Sequence, residues 1–311
     1  MKIMHQRFFV RLFATVIMVR RFIMNSELTV INQEFLTGER ALFKGHDLHI
    51  TNTVFDDGES PLKHSNNIKA DNCLFRWKYP FWYSNNIELT DCSFFENARA
   101  GMWYTNNISL KDCLIEAPKE FRRCNEVSLS NVSFADAKET LWECSNVRLN
   151  DVTVKGAYFG MNCENVVAYN LVLYGDYCFD GAKNVEVYNS KFLSKDCFWN
   201  AENITIYDSF ISGEYLAWNS KNIKLVNCTI ESLQGMCYID NLVLENCKLI
   251  NTTLAFEYSS VEADITSKID SVMNPCSGTI KADSIGKLIL EKDMVDTTLT
   301  KIYVREGEID G

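Results

Sequence analysis

The ten residues NNIELTDCSF, 85–94, place isoleucine and leucine two apart, then an aspartate, then cysteine and phenylalanine two apart. Apolar residues at a period of two line one face of a strand, whereas a helix would repeat them every three or four. Asp91 stands between the pairs, where the chain must bend, so the stretch reads as two short strands and a corner. The same order recurs in both directions along the chain, as NNIKADNCLF (66–75), NNISLKDCLI (106–115), SNVRLNDVTV (145–154), ENVVAYNLVL (164–173), KNVEVYNSKF (183–192), ENITIYDSFI (202–211), KNIKLVNCTI (221–230) and DNLVLENCKL (240–249). Its first apolar position, the anchor, falls at Leu48, Ile68, Ile87, Ile108, Val127, Val147, Val166, Val185, Ile204, Ile223, Leu242, Val261 and Ile280, at spacings of about nineteen to twenty-one residues.

A third apolar run precedes each anchor, as in Phe81-Trp82-Tyr83, which predicts three short strands per coil. The expected fold is therefore all-β, a single-stranded right-handed parallel β-helix of twelve to thirteen coils over residues 27–311, with both ends capped. Coils stacked about 4.8 Å apart make a rod of roughly 60 Å in which like residues lie over like. A leucine-rich repeat fits less well, because its consensus places Asn three residues after the second Leu and continues into a helical segment. The 14 Gly and 4 Pro are too few to make every corner, which leaves the corners to two Asn/Asp columns. One runs through Asn67, Asn86, Asn107, Asn146 and on to Asn241, the other through Asn72, Asp91, Asp112, Asn131 and on to Asn246.

Composition excludes several classes of function. Residues 1–26 carry five basic side chains and no acid, so the rest of the chain holds about −15 of the net −10, which disfavours nucleic-acid backbone binding. The apolar run from Phe8 to Val19 contains Arg11, is too short to span a bilayer and lacks a small-residue cleavage site. It reads as a leader ahead of an internal start at Met24. The 12 Cys follow the repeat without any CxxC spacing, as Cys73, Cys92 and Cys113 do, and so read as small core residues of a cytoplasmic protein.

Six residues before the anchors stand Phe81, Met102, Phe121, Leu141, Gly160, Phe179, Phe198, Ala217, Met236 and Ala255, an interior column. The next residue should face out: Trp82, Trp103, Arg122, Trp142, Met161, Asp180, Trp199, Trp218, Cys237 and Phe256. A line of large aromatics is not an ordinary solvent face. Trp82, Trp103, Trp142, Trp199 and Trp218 suit stacking against the sugar rings of an oligosaccharide, with Arg99 beside them and Arg122 and Asp180 as polar anchors. The competing reading is a non-enzymatic scaffold whose aromatic face pairs with protein, including a second copy of the chain. If the protein is an enzyme, glycoside hydrolysis or elimination is the expected chemistry. Asp196 and Glu214 then form an acid–base pair from adjacent coils, Asp180 is a third candidate, and Arg122 or Lys195 stabilises anionic groups. All four His precede the main repeat, and GxSxG, HExxH and P-loop motifs are missing, so no metal site and no cofactor is expected.

The blocks GERALFKG (38–45), GESPLK (58–63), KYPFWY (78–83), ARAGMWYTNN (98–107), KDCFWN (195–200), GEYLAWNSKN (213–222) and LAFEYS (254–259) resemble a bacterial domain-of-unknown-function family, number 3737, over residues 33 to about 290. The resemblance implies a pectin-lyase-like single-stranded right-handed β-helix and brings no known activity with it. Polygalacturonases of that fold carry an Asn-Thr-Asp strand, a paired Asp and an Arg-Ile-Lys segment, and pectate lyases carry calcium-binding Asp and an Arg base. Those signatures are missing here, so fold analogy supports a carbohydrate ligand more than its cleavage.

Overall fold

The computed structural model describes residues 28–306, so the basic leader at 1–26 lies outside the described residues. The chain is a right-handed parallel β-helix of about 15 turns. Most windings carry a long strand, such as Asn85–Thr90, a corner, and a short strand, such as Ser93–Phe94, and in Asn125–Phe134, Ser145–Lys155 and Asp240–Thr253 the two run on as one strand. Long strands pair in register from winding to winding, Ile68 with Ile87, Ile87 with Ile108, and Val166 with Val185. Among the described residues the only helical element is the three-residue 3-10 turn Glu96–Ala98.

The count exceeds the sequence expectation because both ends are further rungs. Thr29–Asn32 pairs with His46–Thr51, and Thr300–Val304 pairs with Ser277–Ala282. Thr29–Asn32 and Ile302 therefore extend the ladder where caps were expected, and Leu288 belongs to a separate two-stranded pairing with Lys268–Met273. The anchor read at Ile280 is also displaced. Val261 faces Gly278 and Ala263 faces Ile280, because that winding is two residues shorter than the one before it.

The third side is not a strand. Alternate residues there repeatedly have a left-handed φ, as at Tyr158 (60°), Gly160 (76°) and Asn162 (54°), or Tyr177 (56°), Phe179 (56°) and Gly181 (69°). Backbone bonds still join the windings: Tyr83 N–H donates to Trp103 O at 3.0 Å, Tyr104 to Arg122 at 2.8 Å and Arg123 to Trp142 at 2.9 Å. Apolar alternation without β-branched residues fits this conformation as well as it fits a strand, which is why the pattern misleads.

The two Asn/Asp columns occupy the corners with φ near 55°, for example Asn86 (57°) and Asp91 (57°), a region these side chains enter at least cost. Their amides lie on the outside of the rod and bond one another rather than the corner backbone. Asn184 Nδ2 reaches Asn165 Oδ1 at 3.1 Å, and Asn246 Nδ2 reaches Asn227 Oδ1 at 2.8 Å.

Inside, like packs on like. Phe55, Phe75 and Phe94 stack at 4.9 and 4.6 Å between ring centroids, and Phe179 stacks on Phe198 at 5.4 Å. The cysteines are all free and, apart from Cys276, buried. In one interior column Ser84, Cys124 and Ser220 each donate to a carbonyl of the preceding winding, at 2.8, 2.7 and 2.8 Å. Cysteine and serine interchange there because both are small donors, a role that a purely apolar reading of the thiols misses.

Candidate functional site

The indoles of the outward column lie along the wall, half-buried and edge-on to solvent. Trp82 and Trp103 stack at 5.2 Å with 7° between planes. The Arg122 guanidinium then sits 4.4 Å from the Trp103 ring and 4.6 Å from the Trp142 ring, a cation sandwiched between two π-faces. Each indole N–H donates across to the next winding, Trp103 to Lys119 O, Trp142 to Tyr158 O, Trp199 to Tyr215 O and Trp218 to Gln234 O, all at 2.7 Å. Trp82 donates likewise to Ala100 O. The facing ring surfaces between Trp82 and Trp142 and their N–H groups are thus occupied within the protein, and Arg122 is a rung of that stack rather than an outward anchor. Cys237 and Phe256, expected on the same outer column, are fully buried. The ladder register slips between Glu231 and Leu233, and the Cys237 thiol turns to the carbonyls of Gln234 and Leu254.

The stack is interrupted where Met161 and Asp180 replace tryptophan, and it resumes with Trp199 on Trp218 at 5.9 Å. Beside this break three successive windings bring together Asp176 and Tyr177, Lys195 and Asp196, and Glu214 and Tyr215. Lys195 Nζ bridges to Glu214 at 3.2 Å, and its backbone N–H donates to Asp176 Oδ1 at 3.2 Å. Tyr177 meets Trp199 edge-on at 6.0 Å, and Tyr215 lies 4.9 Å from Trp218. Asp180 accepts from Asn200 Nδ2 at 2.8 Å, one winding before Trp199.

Asp196 is the unusual member. Its column otherwise carries tyrosines, Tyr158, Tyr177 and Tyr215, yet the residue is only 2% exposed and its Oδ1 has no partner. Burial pushes this carboxyl above the usual aspartate range, and the facing Tyr177 hydroxyl and Lys195 ammonium only partly offset that. The Asp196 charge in turn holds the Tyr177 phenol up. The structure therefore unites Asp196, Glu214, Lys195, Trp199 and Trp218, with Asp180 close by. It leaves Trp82, Trp103, Arg122 and Trp142 in the closed stack, and Arg99 on an exposed turn four windings before Asp176.

Sequence reading missed Tyr177 and Tyr215, although they fall nineteen residues either side of Asp196 and share its column. It also missed Glu120. This carboxyl points into the barrel with no exposed surface, Oε2 accepts the Gly101 N–H at 2.8 Å, and Oε1 has no partner. Burial drives its pKa well above the ordinary glutamate value. A Cβ at Gly101 would lie 2.4 Å from Oε2, so glycine in the preceding winding makes the space, and that pairing was the available signal. Among the described residues no cluster of His, Cys, Asp and Glu is arranged to hold a metal ion, and no helix is long and apolar enough to cross a membrane.

Residues 29–303 match a family described as "Protein of unknown function (DUF3737)". No curated protein matches the sequence. Among solved structures the chain is similar to PfbA, a surface adhesin of Streptococcus pneumoniae, at 9% identity over 75% of this chain and 83% of that one, with a TM-score of 0.51. It is also similar to a mutant tailspike of E. coli bacteriophage HK620, at 11% identity over 88% and 73%, with a TM-score of 0.47. A further tailspike mutant, in complex with a hexasaccharide, gives 11% identity over 88% and 71%, with a TM-score of 0.42. Likeness at such identities concerns the β-helix fold alone.

Proposed function

Because the chain belongs to the family described as a protein of unknown function, DUF3737, its role has to be read from its own site, and we propose that it binds an oligosaccharide at the patch formed by Tyr177, Lys195, Asp196, Glu214 and Tyr215, edged by Trp199 and Trp218. The carrying observation is Asp196, a carboxyl kept almost wholly buried with one oxygen unpartnered, in a column where tyrosine stands above and below it. An unpaired buried acceptor is costly, and a hydroxyl-bearing ligand supplies the missing donor once the Asp196 side chain turns outward to meet it. Tyrosine and tryptophan edges beside an ion pair provide apolar contact and orientation together. If the bound sugar is also cleaved, Asp196 is the proton donor, because burial keeps its proton on at higher pH, and Glu214 in the next winding is the base. The free, buried thiols favour a reducing, cytoplasmic setting for this activity.

A glycan array read with wild type, Asp196→Asn and Tyr177→Phe tests the proposal. Loss of a defined sugar signal in both variants supports it, and no signal with wild type overturns it. The saturated stack from Trp82 to Trp142 favours the second reading for that half of the stripe, a structural spine or a face that pairs with protein. Light scattering of wild type against Trp103→Arg decides between those two roles, since only a pairing face would change the mass.

A further inference from the structure

Around the corner from the tryptophans, on the outer face of the long strands, lies a groove of about 700 Å³. One side is the amide column from Asn146 to Asn241, and the other is the outward row Arg148, Val167, Glu186, Thr205, Lys224 and Val243. The groove crosses six windings, so it runs about 24 Å along the rod.

Its groups are held before any ligand arrives. Successive amides bond Nδ2 to Oδ1 at 3.3, 3.1, 2.9, 2.9 and 2.9 Å. Each such bond uses one N–H and one lone pair, leaving the amide a second donor and further acceptor capacity at every winding. Glu186 Oε2 is fixed by the Tyr188 hydroxyl at 3.0 Å, which pushes that phenol up to about 12, and Tyr188 is itself stacked between Tyr169 and Tyr207 at 4.7 and 4.9 Å. Lys224 is tied to Glu245 at 2.8 Å. Arg148 is different: among the described residues its guanidinium has no ion pair and no hydrogen bond, in a chain whose net charge is −10.

Shape and chemistry select the occupant. A long, shallow channel fits a linear chain better than a compact molecule. The backbone donors and acceptors of the floor are consumed by the ladder, so a peptide would find no main-chain partners there. A nucleic acid would meet Glu186 and an acidic body. Rows of amides and hydroxyls with both donors and acceptors free match a polyhydroxylated chain, and the unpaired guanidinium matches a carboxylate on it. We infer that this groove is a second binding site, separate from the Asp196 patch, for an extended oligosaccharide that carries sparse carboxylates, one of them seated on Arg148.

Titration calorimetry on the full chain tests this with two probes, an octasaccharide alternating uronic acid with N-acetylhexosamine and a neutral octaglucoside. Arg148→Ala is expected to weaken the acidic probe about tenfold, the loss of one charge-assisted hydrogen bond. Val167→Asp, which sets a negative charge in the channel, should abolish binding, and Asp196→Asn should leave it unchanged. Arg148 is exposed and Val167 half-buried, so melting curves matching wild type keep both variants interpretable. The inference is overturned if wild type ignores the acidic probe, if the neutral probe binds as tightly, or if both groove variants bind like wild type. A signal lost in Asp196→Asn but kept in the groove variants also overturns it, and leaves the patch standing. The reverse result supports the groove whatever the array finds at the patch.

Discussion

Glu120 and Asp196 are both buried carboxyls with one unpartnered oxygen, four windings apart on the same rod, and their surroundings divide them. Glu120 turns inward, receives the Gly101 N–H, and lies behind an outer wall closed by Trp103, Arg122 and Trp142. Asp196 stands in the wall itself, next to the two windings where Met161 and Asp180 interrupt that stack, with Tyr177, Lys195 and Glu214 around it. Where the aromatic ladder is continuous, a buried acid is part of the architecture. Where it is broken, the acid faces groups that can orient a ligand.

The strongest way to break this contrast is to remove a rung on the closed side. Trp103→Ala deletes a ring stacked on both faces and its bond to Lys119, and should cost about 2–3 kcal/mol of stability in chemical denaturation while leaving sugar binding intact. Equal loss of binding would erase the division between the halves.

The second test uses pH. Glu120 binds its proton more tightly in the fold than in the unfolded chain, so its stabilising share is full below the ordinary glutamate value of 4.5 and is lost as pH rises toward its higher folded value. Melting temperatures of wild type should fall across that window, and Glu120→Gln should flatten the slope more than Asp196→Asn does, since Glu120 is the more deeply buried. An unchanged slope in Glu120→Gln would move the titrating group elsewhere.

On the open side, Asp196→Asn should weaken binding of an array-identified sugar about tenfold, with the fold retained. A smaller effect belongs to Lys195→Ala. Its bridge to Glu214 is largely exposed, so unfolding should change by less than about 0.5 kcal/mol, and the change should appear instead in the salt dependence of sugar binding.

Much of the architecture is legible from the chain because a solenoid makes it local. A residue's neighbours above and below are those about nineteen positions away, so Ile87 facing Ile108, the Phe75–Phe94 stack and the Asn amide ladders follow from alignment alone. The third side is less legible, since alternating apolar residues do not distinguish extended backbone from the alternating left-handed turns found at Tyr158, Gly160 and Asn162. The candidate site is legible only in part. Asp196, Glu214, Lys195, Trp199 and Trp218 were found by column, whereas Tyr177 and Tyr215 went unread and Glu120 was hidden among interior residues.

Sequence by itself determined the winding, its pitch in residues, the interior columns and the outward line of tryptophans, because each depends on which residue recurs one turn later. Only the tertiary structure decided which way the indoles turn, that Arg122 is clamped between two of them, and that Asp196 is buried while its column neighbours are tyrosines. Those outcomes depend on side-chain rotation and on the packing of three or more windings at once, and a one-dimensional repeat carries no record of either.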